Sequence, residues 1–344
     1  MNTLLTRPVR SALALLALLA TMLLAGTALA QGKLEKIKVN SAALKGNLEG
    51  DSAERDVYIY LPPGYDKSNG KRYPVIYFLH GYGVGAQVYV ERTLALPGSA
   101  DKAMADGKQA AILVMPDAFS KYGGSMYSNS ATVGDWETFI GKELVSYVDS
   151  HYRTLAKRES RGLSGHSMGG YGTMRIGMVH PEMFGALYVM SACCLLNTAP
   201  TQQAVEQQLE RMKAPPQANE PVFAKAMLAQ AAAWAPNPQN PPYFFDFPFV
   251  NGEAQPLVQG KWTANSPLIN VDQHVPALMQ YKAIAIDVGD KDNLNVTNKQ
   301  LEVALTRLGV AHSFELYEGD HGNRIGQRFV DKLLPFFAAN LSVK

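Results

Sequence analysis

Hydrophobic residues recur along the chain with two spacings. Short continuous or alternating apolar runs predict strands at residues 33–39, 55–61, 73–79, 110–115, 160–164, 187–190, 283–288 and 313–317. Apolar positions at helical spacing predict helices at residues 136–148, 171–178 and 324–339. Because strands alternate with helices, the pattern predicts an α/β fold whose central sheet is mostly parallel. The first two strands, before Pro62 and Pro63, are expected to form an antiparallel edge.

The N-terminal segment, residues 1–30, breaks this rhythm. Arg7 and Arg10 precede a run rich in Leu and Ala at residues 13–24, and Ala28-Leu29-Ala30 matches the small-residue cleavage rule. The pattern predicts a cleaved signal peptide, a secreted or periplasmic protein, and a single mature domain over residues 31–344. The alternative, a membrane anchor, is disfavoured because a span needs about 20 apolar residues.

Residues 195–265 form the second irregular segment. They begin with a portion rich in Gln, Ala and Pro and end in an aromatic cluster interleaved with prolines: Tyr243, Phe244, Phe245, Phe247, Phe249 and Trp262. Long insertions in compact folds often carry function. We interpret the segment as a lid inserted after the sixth strand of the sheet. The alternative is a surface excursion whose aromatic residues pack on the domain.

The net charge and the cysteine positions limit the classes of partner and ligand that the chain is expected to bind. The chain has 32 basic and 30 acidic residues. Loss of Arg7 and Arg10 would bring its net charge from +2 to zero. A neutral chain argues against nucleic-acid and membrane-surface partners, which require a basic field. Cys193 and Cys194 are adjacent, and either two buried thiols or a vicinal disulfide fits them. No Cys or His spacing indicates a metal site, and no metal is expected.

The main chemical signal is Gly165-x-Ser167-x-Gly169, between the strand predicted at 160–164 and the helix that follows. This order is that of a nucleophile elbow, in which a serine occupies a strained strand-to-helix turn. Glycines two residues before and after the serine allow the two arms of the turn to approach closely. The motif therefore predicts a serine nucleophile at Ser167.

Such a serine needs a base and an acid that orients the base, in the chain order Ser, Asp or Glu, His. His321 follows the last predicted strand, where a loop can bring an imidazole over the elbow. Asp292 follows the strand at 283–288 and is the preferred acid, with Asp290 as the alternative. Asp287 lies within that strand and is expected to face away.

The negative charge that develops on a substrate carbonyl oxygen requires two preorganised N–H donors. The backbone N–H of Met168, directly after the serine, is one expected donor. The N–H of Tyr82, in the glycine-rich loop after the third strand, is the other, with Gly83 as the alternative. Candidate substrate-binding residues are Tyr127 and Trp136, which could equally be structural, and two aromatic residues of the insertion, Phe245 and Phe247.

Several motifs in order resemble one esterase family of α/β-hydrolases, over roughly residues 50–340. The matching segments are residues 57–65, 73–81 and 165–170, together with Gly289-x-x-Asp292 and Asp320-His321. This family includes S-formylglutathione hydrolases, feruloyl and acetyl xylan esterases, enterochelin esterases and mycolyltransferases. The resemblance implies an α/β-hydrolase fold, no cofactor, acyl-enzyme chemistry and a triad of Ser167, Asp292 and His321. The long segment 195–265 departs from the family pattern and leaves the acyl pocket undefined.

These observations predict an exported serine hydrolase of carboxylic esters that acts on a small-molecule or glycan ester. The main alternative is an acyltransferase, which would use the same triad but pass the acyl group to an alcohol or sugar. A third hypothesis is a binding protein whose catalytic site has lost its activity. The complete set of Ser, Asp and His conflicts with that hypothesis. The sequence determines neither the acyl specificity nor the oligomeric state.

Overall fold

The computed structural model describes residues 31–67, 70–105, 110–197, 199–213 and 222–344. The predicted signal peptide, residues 1–30, lies outside these residues. Eight strands form the central sheet in the order β1-β2-β4-β3-β5-β6-β7-β8. Their bounds are β1 Lys33–Asn40, β2 Glu54–Leu61, β3 Val75–Leu79, β4 Ile112–Pro116, β5 Arg161–His166, β6 Ala186–Met190, β7 Ala283–Gly289 and β8 Ser313–Tyr317.

The sheet is antiparallel only at one edge. Strand β2 pairs antiparallel with both β1 and β4, whereas every pairing from β4 through β8 is parallel. This arrangement confirms the predicted mostly parallel sheet and its antiparallel edge. Strand β3 begins two residues later than predicted, because Tyr73 pairs with Thr154 outside the sheet and Pro74 has no N–H to donate.

Helices lie between the strands. One begins at Ala86–Val88 and continues as a π-helical turn, Tyr89–Thr93, and another follows at Gly98–Ala103. After β4 a helix runs through Trp136–Thr138, Phe139–Glu143 and Leu144–His151, and after β5 comes Met168–Val179. Asn295–Arg307 connects β7 to β8. The closing helix is Ile325–Arg328, Phe329–Leu333 and Leu334–Asn340, as the apolar spacing predicts.

Two apolar clusters cover the two faces of the sheet. In β3, Tyr77 and Leu79 belong to one cluster, while Ile76 and Phe78 belong to the other. All five residues of β3 are buried, as expected for a strand with helices on both sides. The carboxyl ends of β3, β5, β7 and β8 therefore meet at one edge of a rigid sheet, where the candidate site lies.

The segment at 195–265 contains the helices Gln202–Lys213, Ala226–Trp234 and Pro256–Ala264 and a two-residue ribbon, Phe249–Val250 with Glu253–Ala254. Short helices at Pro267–Asn270, Val271–His274 and Val275–Leu278 lead from it to β7. Trp234 packs edge-on against Trp262 and tilted against Tyr171 of the helix after β5. This segment is thus anchored to the main core by large buried rings. No helix in the described ranges has the length and apolar character needed to cross a membrane.

Candidate active site

Ser167 forms the turn between β5 and the helix Met168–Val179. Its backbone has φ +58° and ψ −113°, a conformation that side chains rarely adopt. The turn is held from both sides, because Ser167 N–H donates to Met190 O at 3.0 Å and Ser167 O accepts from Cys193 N–H at 3.1 Å. A Cβ atom on Gly165 would overlap the backbone of Gly169. The sequence thus builds the strained elbow that exposes the serine hydroxyl.

Ser167, His321 and Asp292 come together at this turn. Nε2 of His321 lies 2.9 Å from Oγ of Ser167, and Nδ1 of His321 lies 2.8 Å from Oδ2 of Asp292. Since a carboxylate can only accept, Nδ1 carries the imidazole proton and Nε2 is left as the acceptor for the serine hydroxyl. The three side chains therefore have the arrangement that a serine nucleophile, its base and an orienting acid require.

Asp292 is almost fully buried, with 2% of its surface exposed. Burial raises the pKa of this carboxyl, but hydrogen bonds from His321 and from the N–H of Leu294 outweigh that effect and hold the pKa below its ordinary value. The N–H of Leu294 donates to Oδ1 at 2.8 Å, opposite the oxygen that faces His321. The carboxylate therefore stays ionised at neutral pH.

The neighbouring aspartates have other partners. Asp290 accepts from the N–H of Gly319 at 2.9 Å, which ties its loop to the segment that precedes His321. Asp287 is buried and pairs with Arg328, whose Nε lies 2.6 Å from Oδ2. The side chain of Asp287 thus faces away from the imidazole, as the sequence suggested, and Asp292 is the aspartate that contacts His321.

The loop after β3 supplies the candidate oxyanion donors. The N–H of Gly83 already donates to Gly123 O at 2.9 Å, and the phenol of Tyr82 donates to Tyr122 O at 2.7 Å. Those contacts disfavour both Gly83 and the Tyr82 phenol, whereas Tyr82 itself lines the cleft beside Ser167. Met168 opens the helix that follows the serine, where first-turn N–H groups have no partner within the helix.

A cleft of about 650 Å³ opens onto Ser167 and His321. Its walls come from the glycine-rich loop, the helix that starts at Ala86 and the segment after His321. They include Tyr82, Val84, Val88, Tyr89, Arg92, Phe223, Asn323, Ile325 and Gln327. Phe223 comes from the segment 195–265, is 70% exposed and stacks on the ring of Tyr82 at a centroid distance of 5.8 Å.

Four candidate substrate-binding residues are placed elsewhere. Tyr127 is fully buried and its hydroxyl donates to His80 O, while Trp136 is buried with Nε1 donating to Val133 O. Phe245 and Phe247 are buried and pack edge-on against each other. None of the four lines the cleft. They are core residues, because large aromatic rings are stabilised by burial against the sheet and its helices.

Three cleft residues escape sequence reasoning. Tyr89 lies in a short helical segment that has no clear hydrophobic periodicity. Phe223 lies in the segment 195–265, which also lacks a clear periodicity. His166 is adjacent to Ser167, and its neighbour's turn gives no indication of where its own side chain points. The structure places the His166 ring 4.6 Å from the His321 ring, centroid to centroid. The adjacency of His166 to the serine was the one available signal.

The remaining candidates for special chemistry are not at the cleft. Cys193 and Cys194 are free, with their Sγ atoms 2.7 Å apart. Within the ranges that the structure describes, no group of three or more His, Cys, Asp or Glu side chains converges in a way that could hold a metal ion.

Comparison with solved structures gives the fold a name. A ferulic acid esterase superposes with a TM-score of 0.65 at 23% identity, covering 91% of this chain and 99% of that one. MPT51 of Mycobacterium tuberculosis superposes with a TM-score of 0.58 at 16% identity, covering 90% and 99%. Together with the sheet order, these neighbours confirm the α/β-hydrolase fold.

Curated relatives match a shorter part of the chain. "Esterase MT1326" of Mycobacterium tuberculosis is 37% identical over 125 residues, which are 35% of this chain and 25% of that protein. "Endo-1,4-beta-xylanase/feruloyl esterase" of Xylanibacter ruminicola is 34% identical over 138 residues, 37% of this chain and 18% of that protein. The chain thus spans a quarter or less of the length of these relatives.

A family model matches far more of the chain. The family described as "Putative esterase" aligns with residues 52–336, which extend from β2 into the closing helix and include Ser167, His321 and Asp292. This match confirms the resemblance seen in the sequence motifs. The chain therefore belongs to the "Putative esterase" family.

Proposed function

We propose that this protein is an exported serine hydrolase of carboxylic esters that works through Ser167, His321 and Asp292. One observation carries the proposal: Nε2 of His321 accepts from the Ser167 hydroxyl at 2.9 Å while Nδ1 faces the buried Asp292 carboxylate at 2.8 Å. A serine hydroxyl is a weak nucleophile until a positioned base takes its proton. Membership of an esterase family supports the same chemistry.

The reaction follows from the proton positions. Oγ of Ser167 attacks the ester carbonyl carbon as Nε2 of His321 takes the hydroxyl proton, and the imidazolium is stabilised by Asp292. The N–H groups of Tyr82 and Met168 are the proposed donors to the oxyanion. His321 then returns the proton to the departing alcohol. Water deacylates the enzyme by the same steps, and the acid and Ser167 are regenerated.

The cleft supports a small-molecule ester as substrate. Its volume of about 650 Å³ is within the range of ligand pockets. Its walls combine apolar side chains with a few polar groups, which suits one half of an uncharged or weakly charged ester. The relatives whose names include feruloyl or ferulic acid esterase support an ester of this size. A glycan that carries such an ester fits the same proposal.

The proposal also includes a partial cover over the cleft and export of the chain. The insertion acts as a partial cover, because Phe223 reaches the cleft and stacks on Tyr82. Export is supported by the sequence pattern of residues 1–30 alone. Intact mass of protein recovered from the medium or the periplasm tests it. We expect the mass of a chain that begins at Gln31. The mass of a chain that retains the leader would contradict export by cleavage.

Hydrolysis is better supported than acyl transfer. An aromatic lid that excludes water from the site would favour transfer, but Phe245 and Phe247 are buried in the core away from the cleft. The cleft is open to solvent beside Ser167, so water can reach an acyl-enzyme. Products formed from a p-nitrophenyl ester in the presence of a sugar alcohol separate the two. We expect free acid, and acylated sugar as the main product would favour the transferase.

Steady-state kinetics with p-nitrophenyl esters of increasing acyl length test the hydrolase proposal. We expect turnover that depends on acyl length and falls to near background in Ser167→Ala. A matched control is Ser164→Ala, which removes a buried serine hydroxyl within β5 that donates to Tyr188 O at 2.7 Å. Unchanged turnover in Ser167→Ala would refute the proposed function.

A further inference from the structure

His166 is a buried histidine that the proposed reaction does not use. Its Nδ1 lies 2.8 Å from the hydroxyl of Tyr89, and its Nε2 lies 2.7 Å from the backbone carbonyl oxygen of His321. The first contact joins residues 77 positions apart and the second joins residues 155 positions apart. One imidazole therefore connects the helix beside the cleft to the backbone of the proposed base.

The protons on this connection have a single consistent arrangement. Burial, and secondly the nearby His321, lower the pKa of His166 to about 3, so the ring is neutral in the working range. A carbonyl oxygen can only accept, so Nε2 of His166 carries the proton and donates to His321 O. Nδ1 is then an acceptor, and the Tyr89 hydroxyl must donate to it. Burial raises the pKa of Tyr89 well above its ordinary value, which keeps that hydroxyl protonated.

The connection continues to the oxyanion loop. The Tyr89 hydroxyl packs so closely against Gly81 that a Cβ atom at that position would overlap its oxygen. The two hydrogen bonds thus run in one direction, from Tyr89 to His166 and from His166 to His321 O. Hydrogen bonds in such a chain polarise and strengthen one another. Gly81 directly precedes Tyr82, whose N–H is the proposed oxyanion donor.

We infer that Tyr89 and His166 are positioning residues that hold the oxyanion loop and the base loop in register across the Ser167 elbow. The inference rests on the proposed function. The two groups that must act on one carbonyl, the Tyr82 N–H and the His321 imidazole, lie on loops that follow β3 and β8, far apart in the sheet. The packing of Tyr89 on Gly81 and the two hydrogen bonds through His166 fix their separation where loop backbones alone would allow drift. A misplacement of about 1 Å can cost about 100-fold in rate.

The test compares Tyr89→Phe, His166→Leu and His166→Gln on a p-nitrophenyl ester. We expect kcat to fall about 10- to 100-fold in His166→Leu and about 10-fold in Tyr89→Phe, with KM changed by less than about threefold, because positioning and not binding is lost. His166→Gln can restore an N–H toward His321 O, and we expect it to recover at least about fivefold of the loss. The double variant of Tyr89→Phe with His166→Leu should be no slower than His166→Leu alone, since either change interrupts the same series of contacts.

A matched control separates positioning from general stability. Tyr281→Phe removes another buried hydroxyl, which donates to Gly177 O at 2.8 Å away from the cleft. We expect its melting temperature to fall about as much as that of Tyr89→Phe, with kcat unchanged. If His166→Leu fails to fold, Tyr89→Phe decides the question, since it removes one oxygen atom.

The outcomes separate this inference from the proposed function. Wild-type kcat in Tyr89→Phe and His166→Leu, together with an inactive Ser167→Ala, overturns the positioning role and leaves the hydrolase intact. An equal loss of kcat in Tyr281→Phe and Tyr89→Phe also overturns it, because the effect would then be one of stability. An active Ser167→Ala overturns the proposed function itself.

Discussion

Replacing Asp292 by Asn tests how the acid acts. The amide oxygen of Asn can still accept from the Leu294 N–H, which meets Oδ1 at 2.8 Å in the native protein. The amide NH₂ then faces Nδ1 of His321, where the carboxylate oxygen lay 2.8 Å away. Two donors cannot share that contact, so the imidazole must move its proton to Nε2 and present N–H to the Ser167 hydroxyl. The serine then has no base.

The expected magnitude follows from that tautomer. Loss of the base in a triad that is otherwise intact costs about 10⁴-fold in kcat. The loss corresponds to about 5 kcal/mol of transition-state stabilisation. KM should change little, because the carboxylate is buried behind the imidazole and does not touch substrate. The melting temperature should fall by only a few degrees, since the amide keeps the Leu294 contact and the volume is conserved.

The assay is steady-state hydrolysis of a p-nitrophenyl ester, with Asp290→Asn as the matched control. Asp290 is exposed, and its carboxylate accepts from Gly319 N–H and does not contact His321. We expect Asp290→Asn to retain kcat within about threefold, as most surface substitutions are nearly neutral. More than a tenth of wild-type kcat in Asp292→Asn, or an equal loss in both variants, would refute this reasoning.

Three further predictions concern the elbow, an acidic side chain and the cleft. Gly169→Ala places a methyl group against the backbone oxygen of Leu79 and should destabilise the folded protein by about 1–3 kcal/mol or more. Gly260→Ala adds a methyl group in open space on a helix and should stabilise the folded protein by about 0.5–1 kcal/mol. Chemical denaturation measures both changes. Burial first, and then the nearby carboxylate of Asp51, raise the pKa of Glu49 to about 9 from 4.5. Between these two pH values, unfolding releases the Glu49 proton, so the folded protein loses stability as pH rises. Glu49→Gln removes this effect and should raise the melting temperature by at least several degrees at pH 8 but hardly at pH 4. Phe223→Ala should raise KM about threefold to tenfold with little change in kcat, because one wall of the cleft is lost; an equal rise at Gly260→Ala would argue against that role.

Local hydrophobic patterns predicted most of the strands and helices of the fold. Strand β3 is a continuous apolar run, and such a run has few uses other than a strand buried on both faces. The first two strands alternate, and they form the antiparallel edge. The main errors are at element ends, as at Tyr73, where pairing to Thr154 and the missing N–H of Pro74 decide the boundary. Such ends depend on tertiary partners that periodicity does not encode.

The elements of the site differ in how local they are. Ser167 is specified by glycines two residues away, and chain order pointed to His321 and to Asp292 with Asp290 as the alternative. The contact with His321 at 2.8 Å distinguishes the two aspartates. The network through Tyr89 and His166 depends on contacts 77 and 155 residues apart, which no pattern reveals. Phe245 and Phe247 mislead for the converse reason. An aromatic cluster looks alike in sequence whether it covers a cleft or fills a core.

The most direct test of the whole account is covalent labelling of Ser167. The structure places its hydroxyl in contact with His321, so the oxygen should react with a fluorophosphonate whereas ordinary serine hydroxyls do not. Intact mass after brief exposure should show one adduct per chain, mapped to the Ser167 peptide, and none in Ser167→Ala. Labelling should also be slow in His321→Ala. A wild-type protein that gains no adduct, or gains it on another serine, would contradict the account.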